Sequence, residues 1–262
     1  MSEQHLTALQ LMEALIGRER MQTQTVDTCK RGDPGRVIRK VGTCLTPTAE
    51  ILRACKAWGA DLLITHEPCV YDHFDVPRED IVTDAKRALL DTCDFVIWRF
   101  HDYIHSGDGP DGIHTGFLHK LGLKGSYDGS RYFYPDEPIT ALELAKKAEE
   151  AGLTLHARIA GKRNVPAKKV MLFLGACGGA VDQFLHDDAQ LAVLGEVCEW
   201  RNVEQMRDAE QFDIDKSYVV LGHGASEYPG MEELADRIRA DYPFLEVRYF
   251  HCGDIYTYTD SE

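Results

Sequence analysis

Four short apolar runs in this chain end in groups that can hold a metal ion or move a proton. Leu62-Leu63-Ile64-Thr65 runs into His66-Glu67-Pro68, and Asp94-Phe95-Val96-Ile97-Trp98-Arg99-Phe100 runs into His101. Leu191-Ala192-Val193-Leu194 ends at Gly195-Glu196, and the run from Ser217 to Leu221 ends at Gly222-His223. Two of these ends are followed four residues later by another ligand-type group, His105 after His101 and Glu227 after His223. Groups four apart can face the same way on a helical turn or in a compact loop. Mixed imidazole and carboxylate sets suit zinc, manganese, iron or nickel rather than a thiolate-bound structural zinc. His66, Glu67, His101, His105, His223 and Glu227 make six candidate ligands, more than one four-coordinate ion uses. Two divalent ions per chain are therefore expected, with a carboxylate able to bridge them. Glu67 and His101 are also the candidate catalytic groups, Glu67 as ligand or general base. Asp72, His73, Asp102 and Asp108 stand in reserve as ligands or acid–base groups, and Cys69 is the nearby thiol.

The elements that must position these groups follow from hydrophobic spacing. Leu6, Leu9, Met12, Leu15 and Ile16 predict an amphipathic helix over 3–19, followed by a polar loop over 20–36. A strand over 37–45 leads to Thr46-Pro47, an N-cap signal, and a helix ending at Gly59. Strand 60–65, helix 80–92 and strand 94–100 follow, then an irregular Gly- and Asp-rich loop over 101–112 and a short helix over 113–121. Further on come a strand at 131–134, helix 140–151, strand 153–159 and strand 168–174. Gly175-Ala176-Cys177-Gly178-Gly179 reads as a tight strand-to-helix turn whose backbone N–H groups could also approach an anion. Helix 180–187, strand 190–194, helix 202–211, strand 217–221, helix 229–241 and strand 245–250 complete the chain.

The order strand–helix–strand–ligand–helix–strand–ligand thus occurs twice. The expected fold class is α/β, with two similar halves (1–125 and 126–262, the second completed by strands from the middle of the chain) whose mixed sheets face a shared metal-binding cleft. A length of 262 residues with 44% hydrophobic content allows this. The net charge of −14, from 43 acidic against 29 basic residues, argues against nucleic-acid partners, which are held by Lys and Arg on phosphates. No Cys-x-x-Cys pair occurs among the eight cysteines, and no apolar run approaches the length of a membrane span. The N-terminus does not read as a secretory signal, so a reduced, cytoplasmic protein is expected.

Together these motifs resemble the NIF-three-like family of metal-binding proteins, some members of which are described as type 2 GTP cyclohydrolase I. The family's Thr-His-His-Pro stands here as Thr65-His66-Glu67-Pro68, and its His-Thr-Asn-Leu-Asp loop with Gly-Gly-Val as His101–His105 with Gly112-Ile113. Its Gly-Gly-Ala-Gly turn corresponds to Gly175–Gly179, and its Gly-His-x-x-x-Glu-x-x-Gly to Gly222-His223-Gly-Ala-Ser-Glu227-Tyr-Pro-Gly230. The resemblance implies two α/β halves around a dinuclear metal site and a ring-shaped homohexamer. Two departures stand out. Glu67 replaces the second histidine, and His105 takes the place of the aspartate unless Asp102 or Asp108 does so. The function expected from all this is a metal-dependent hydrolase acting on a small, nucleotide-like or phosphorylated substrate. The alternative is a non-catalytic metal-binding protein acting through protein partners.

Overall fold

The computed structural model describes residues 5–22, 24–107 and 109–259. The chain divides into two compact units, 1–108 with 231–253, and 109–230 with 254–262. The division expected after residue 125 thus falls earlier, and the later part of the chain returns to the first unit.

In the first unit, β1 (Leu6–Thr7) and α1 (Ala8–Ile16) precede β2 (Cys29–Arg31), β3 (Val37–Ile38), β4 (Lys40–Cys44) and α2 (Ala49–Trp58). Then come β5 (Leu62–Thr65), α3 (Ile81–Asp91), β6 (Val96–Arg99) and α4 (Asp102–Ser106). The second unit holds α5 (Gly112–Lys120), β7 (Gly125–Tyr127), β8 (Tyr132–Pro135), α6 (Ala141–Glu150) and β9 (Arg158–Gly161). It continues with β10 (Val170–Phe173), α7 (Gln183–His186), β11 (Leu191–Leu194), α8 (Glu204–Gln211) and β12 (Ser217–Val220). Helix α9 (His223–Asp241) begins in the second unit and ends in the first, and β13 (Glu246–Tyr249) belongs to the first.

Each unit is a mixed sheet, built on four parallel strands in the first and three in the second. The first has the order β13-β4-β5-β6-β2, parallel except for β2 at one edge. The second has the order β7-β8-β10-β11-β12-β9, with β10, β11 and β12 parallel and β8 and β9 antiparallel beside them. The duplicated order read in the sequence is therefore present. Strands β5, β6, β11 and β12 are buried at every position, which is why they read as continuous apolar runs rather than alternating ones. Parallel strands linked by helices carry all their carboxyl ends at one side of the sheet, where α/β proteins bind ligands. Cys44, Cys55, Cys69 and Cys93 pack in the first unit's core with Leu52, Leu63 and Phe95, and all eight cysteines are free. Among the described residues no helix is long and apolar enough to cross a membrane.

Several local expectations change. The polar stretch 20–36 contains β2, which pairs antiparallel with the otherwise open edge of β6. The strand expected over 37–45 breaks at Arg39, where the Asp61 carboxylate accepts the N–H groups of Arg39 and Lys40 at 2.8 and 2.9 Å. Thr48, not Thr46, caps α2, its hydroxyl accepting the Ile51 N–H at 3.2 Å. The predicted helix over 3–19 is α1 alone, with residues 3 and 4 outside the described residues. The strand predicted over 153–159 forms at β9, where pairing with β12 is available. The helix predicted over 180–187 is a tight 3-10 turn over 178–182 followed by the single turn of α7.

The largest change is at α9. It starts at His223, six residues before the predicted start, and carries Pro229 inside it. Two glycines serve packing here. A Cβ on Gly230 would stand 2.6 Å from the Ile113 Cα, and one on Gly116 would stand 2.7 Å from the Pro229 carbonyl oxygen. Helix α5 thus approaches the start of α9 closer than any side chain allows.

Candidate metal centre

Both units use the same device after the third parallel strand. The chain leaves β6 and enters α4 at His101, so His101 and His105 lie one helical turn apart. It leaves β12 and enters α9 at His223, which puts His223 and Glu227 one turn apart. The stretch read as too rich in Gly and Asp to be regular therefore contains a helix. Its N-terminus is held by a residue far away in sequence. The Asp27 carboxylate accepts the N–H groups of His101, Asp102 and Tyr103 at 2.7, 2.9 and 2.9 Å. Those are orphan donors that a helix start must satisfy.

Within the first unit, His66, His101 and His105 converge, each offering a nitrogen within 4.8 Å of the others. The ring centroids are 4.5 Å apart for His66–His101, 5.2 Å for His66–His105 and 5.5 Å for His101–His105. Imidazoles sharing one tetrahedral ion, at metal–nitrogen bonds of about 2.1 Å, place their centroids about 5 Å apart. The trio already has that spacing. Its protonation state also fits. Burial, then the neighbouring His105 and His101, hold His66 well below the usual imidazole value, so it stays neutral with a lone pair to give. Burial likewise lowers His101, against the opposing pull of Asp102.

The tautomers are set by what the other ring nitrogens do. His66 Nδ1 lies 3.2 Å from the Phe100 carbonyl, which makes Nδ1 the donor and Nε2 the lone-pair nitrogen. His101 Nδ1 lies 3.0 Å from Asp102 Oδ1. Asp102 Oδ2 in turn accepts from the Thr25 hydroxyl at 2.7 Å and the Val26 N–H at 3.2 Å. Burial pushes the Asp102 carboxyl up, and these hydrogen bonds outweigh it and keep the group below its usual range. Such carboxylate–histidine pairs orient ligating imidazoles. Asp102 therefore aligns His101, and His105 is the residue that joins His66 and His101. The Asp72 carboxylate is engaged by the Phe74 and Val76 N–H groups, Cys69 is buried with its thiol pushed up to about 12, and Asp108 lies outside the described residues.

Glu67 is half-buried, with a carboxylate oxygen within 4.8 Å of a His66 nitrogen. Beneath it lies Arg99, wholly buried, whose Nε donates to the His66 carbonyl at 3.0 Å. A second Arg99 nitrogen donates to the His73 carbonyl.

Within the second unit, His223 bridges two carboxylates, with Nδ1 2.7 Å from Glu196 Oε1 and Nε2 3.0 Å from Glu227 Oε2. Glu227 is buried and half-exposed Glu196 is not. Gly175, at φ +64°, makes the space for Glu227. A Cβ there would overlap Glu227 Oε1 and stand 2.6 Å from its Cδ. The Gly175 N–H donates to the Ser226 hydroxyl at 2.9 Å, and its carbonyl accepts the Glu196 N–H at 2.8 Å. The Gly175 backbone thus holds Ser226 and Glu196, as a tight strand-to-helix turn does.

Asp27, Arg99 and Thr25 escape the sequence reading. Arg99 carried a signal, an arginine inside a fully apolar run, whereas Asp27 caps a helix over 70 residues away and no local spacing shows that.

Two α/β sheets whose parallel strands end in imidazoles and carboxylates define a class of proteins with candidate His/Glu metal-ligating groups. The chain belongs to the Duf34/NIF3 family (NGG1p interacting factor 3), whose sequence profile matches residues 22–252. No curated protein matches it. Its fold is similar to that of a hypothetical protein from Staphylococcus aureus (TM-score 0.75, 15% identity, 97% of this chain and 100% of that one). It is similar also to a NIF3-related protein from Bacillus cereus (0.74, 12%, 98% and 100%) and to reduced HcgD from Methanocaldococcus jannaschii (0.68, 15%, 94% and 98%).

Proposed function

We propose that this chain is a metal-dependent hydrolase of small, nucleotide-like or phosphorylated molecules. The observation that carries the reading is the convergence of three imidazoles at tetrahedral-ion spacing beside a half-buried carboxylate. His66, His101 and His105 would hold one divalent ion, zinc, manganese, iron or nickel, and His223 with Glu227 would serve a second. A bound divalent ion supplies Lewis acidity toward a carbonyl or phosphoryl oxygen and lowers the pKa of water.

The chain's own residues do the rest. Glu67, with a carboxylate oxygen within 4.8 Å of a His66 nitrogen, acts as general base. Asp102 keeps the His101 proton on Nδ1, so that Nε2 faces the trio with its lone pair. Glu196 orients the His223 ring through its Nδ1. The family resemblance adds a ring-shaped homohexamer to the proposal, and the composition and N-terminus add a cytoplasmic setting.

The test is a screen of metal-loaded protein against nucleotides and phosphoesters, with His101→Ala and His223→Ala alongside. Turnover present in the wild type and lost in both variants is expected. Metal retained without turnover on any of these substrates would instead favour a metal-binding role through protein partners. Light scattering coupled to size exclusion should give a mass several times 29.5 kDa, and a clean monomer would remove the ring.

A further inference from the structure

Three imidazoles leave a four-coordinate ion one ligand short. A fourth imidazole stands beside the trio and has no role in the chemistry above. The His73 ring centroid lies 5.3 Å from that of His101, at an interplanar angle of 78°. That spacing to His101 falls among those inside the trio, and the His73 ring, which does not join the trio's ligand cluster where it stands, would reach the ion by turning about its side-chain torsions. Of the carboxylates nearby, Asp102 is committed to His101 and Thr25 and Asp72 to its own turn, while Glu67, beside His66, serves as the base in the reading above.

The backbone carrying His73 is pinned from beneath. Arg99, at 0% exposure, donates to the carbonyls of both His66 and His73, so one guanidinium fixes the span between a trio member and the fourth ring. Two residues on, Asp75 accepts the Cys69 N–H at 2.7 Å and pairs with Lys30 Nζ at 2.9 Å. Asp75 adopts φ 57°, a left-handed conformation costly for a residue with a Cβ. These bonds hold the segment 69–75 in a closed strap across the strand ends. The His73 ring itself is exposed and rests edge-on against Phe74 at 4.9 Å. A fixed backbone with a solvent-facing ring leaves rotation between side-chain rotamers as its way of moving.

We infer, building on the metal reading above, that His73 is a displaceable fourth ligand to the ion held by His66, His101 and His105. The strap removes most of the ordering cost of bringing this ring to the ion, because its backbone is already in place. Four neutral imidazoles leave the ion's positive charge uncompensated by its own ligands. An incoming anionic oxygen, from phosphate or carboxylate, gains that charge and can take the place of the exposed ring. His73 therefore closes the coordination sphere at rest and yields it to an anionic substrate.

Cobalt(II), whose visible absorption reports the number and type of its ligands, gives the test without any assay of turnover. Metal-free wild type, His73→Ala and His73→Gln are titrated with cobalt(II), with His101→Ala as reference and the unfolding midpoint of each metal-free protein measured in parallel. Both His73 variants are expected to shift the visible spectrum and to bind about tenfold or more weakly, on the scale of lost metal-site interactions. Their metal-free midpoints are expected to match wild type, because the lost ring is exposed. Inorganic phosphate should move the wild-type spectrum toward that of the His73 variants. Wild-type spectrum and affinity in either His73 variant, with binding lost in His101→Ala, would overturn this inference alone. Unimpaired binding in His101→Ala would overturn the reading beneath it.

Discussion

The space that Gly175 leaves for Glu227 can be tested by closing it. Gly175→Ala carries two costs. The first is conformational. At φ +64° an alanine sits in the left-handed region, at about 1–2 kcal/mol. The second is steric. To restore ordinary contact at Oε1, which the new Cβ would overlap, the Glu227 carboxylate must retreat by about 1.5 Å. Its bond to His223 Nε2, 3.0 Å long, would then stretch beyond hydrogen-bonding range. Crowding of this kind in a buried site adds about 1–3 kcal/mol. Gly178 offers the matched control. It lies in the same turn at φ +51°, and a Cβ there meets nothing within 4 Å. Gly178→Ala carries the conformational cost alone. The expected result is that Gly175→Ala melts about 2–12 °C below Gly178→Ala, at about 2–4 °C per kcal/mol for a chain of this size. Metal binding by His223 and Glu227 should fall in the first variant and not in the second. Equal melting points with equal metal content in the two proteins would refute the claim that the missing side chain is what seats Glu227.

Other outcomes follow from the first unit. His66 and His101 have lowered pKa values when folded, so below about pH 6.5 the unfolded chain binds more protons than the native one. The metal-free protein should therefore be most stable above that pH and lose up to about 1.4 kcal/mol per pH unit for each histidine as the pH falls, and a flat urea midpoint between pH 7 and 5 would contradict the burial of the trio. Asp102→Asn removes the charge that fixes the His101 tautomer and should weaken zinc binding about 10–100-fold by competition titration, whereas unchanged affinity would leave Asp102 a purely structural role. Asp27→Ala frees three N–H groups at the start of α4 and should cost about 2 kcal/mol in chemical denaturation, with a wild-type midpoint counting against its capping role. Glu67→His exchanges a hard oxygen donor for an imidazole and should raise zinc affinity relative to manganese, and an unchanged ratio would remove Glu67 from the site.

What the sequence made legible was whatever depends on neighbours along the chain. The buried parallel strands announced themselves as unbroken apolar runs, and the groups at their ends could be named from position alone, as with His66 after β5 and His101 after β6. Pro229, a residue that suits a first helical position, reads as the start of α9, whereas the helix begins six residues earlier and Gly230 inside it is demanded by the approach of Ile113. Contacts between distant segments were invisible for the same reason. Nothing near Asp27 hints at the α4 N-terminus, and β2 reads as a polar loop because its place in the sheet comes from the open edge of β6 rather than from its own composition.

The return of β13 to the first sheet also sets an order in time. Residues 109–230 are continuous in the second unit, whereas residues up to 108 are joined in the first by 231–253. At a synthesis rate of about 5–20 residues per second, β4 leaves the ribosome well before β13 exists to cover it, by an interval of roughly ten to forty seconds. During that interval the Val41–Thr43 edge has no strand beside it and the site that Phe250 fills beside Gly42 stands open. Bare sheet edges of this kind invite pairing with other chains. The first-made sheet thus waits for almost the last strand of the chain, and a nascent chain stalled between residues 120 and 240 carries that edge bare.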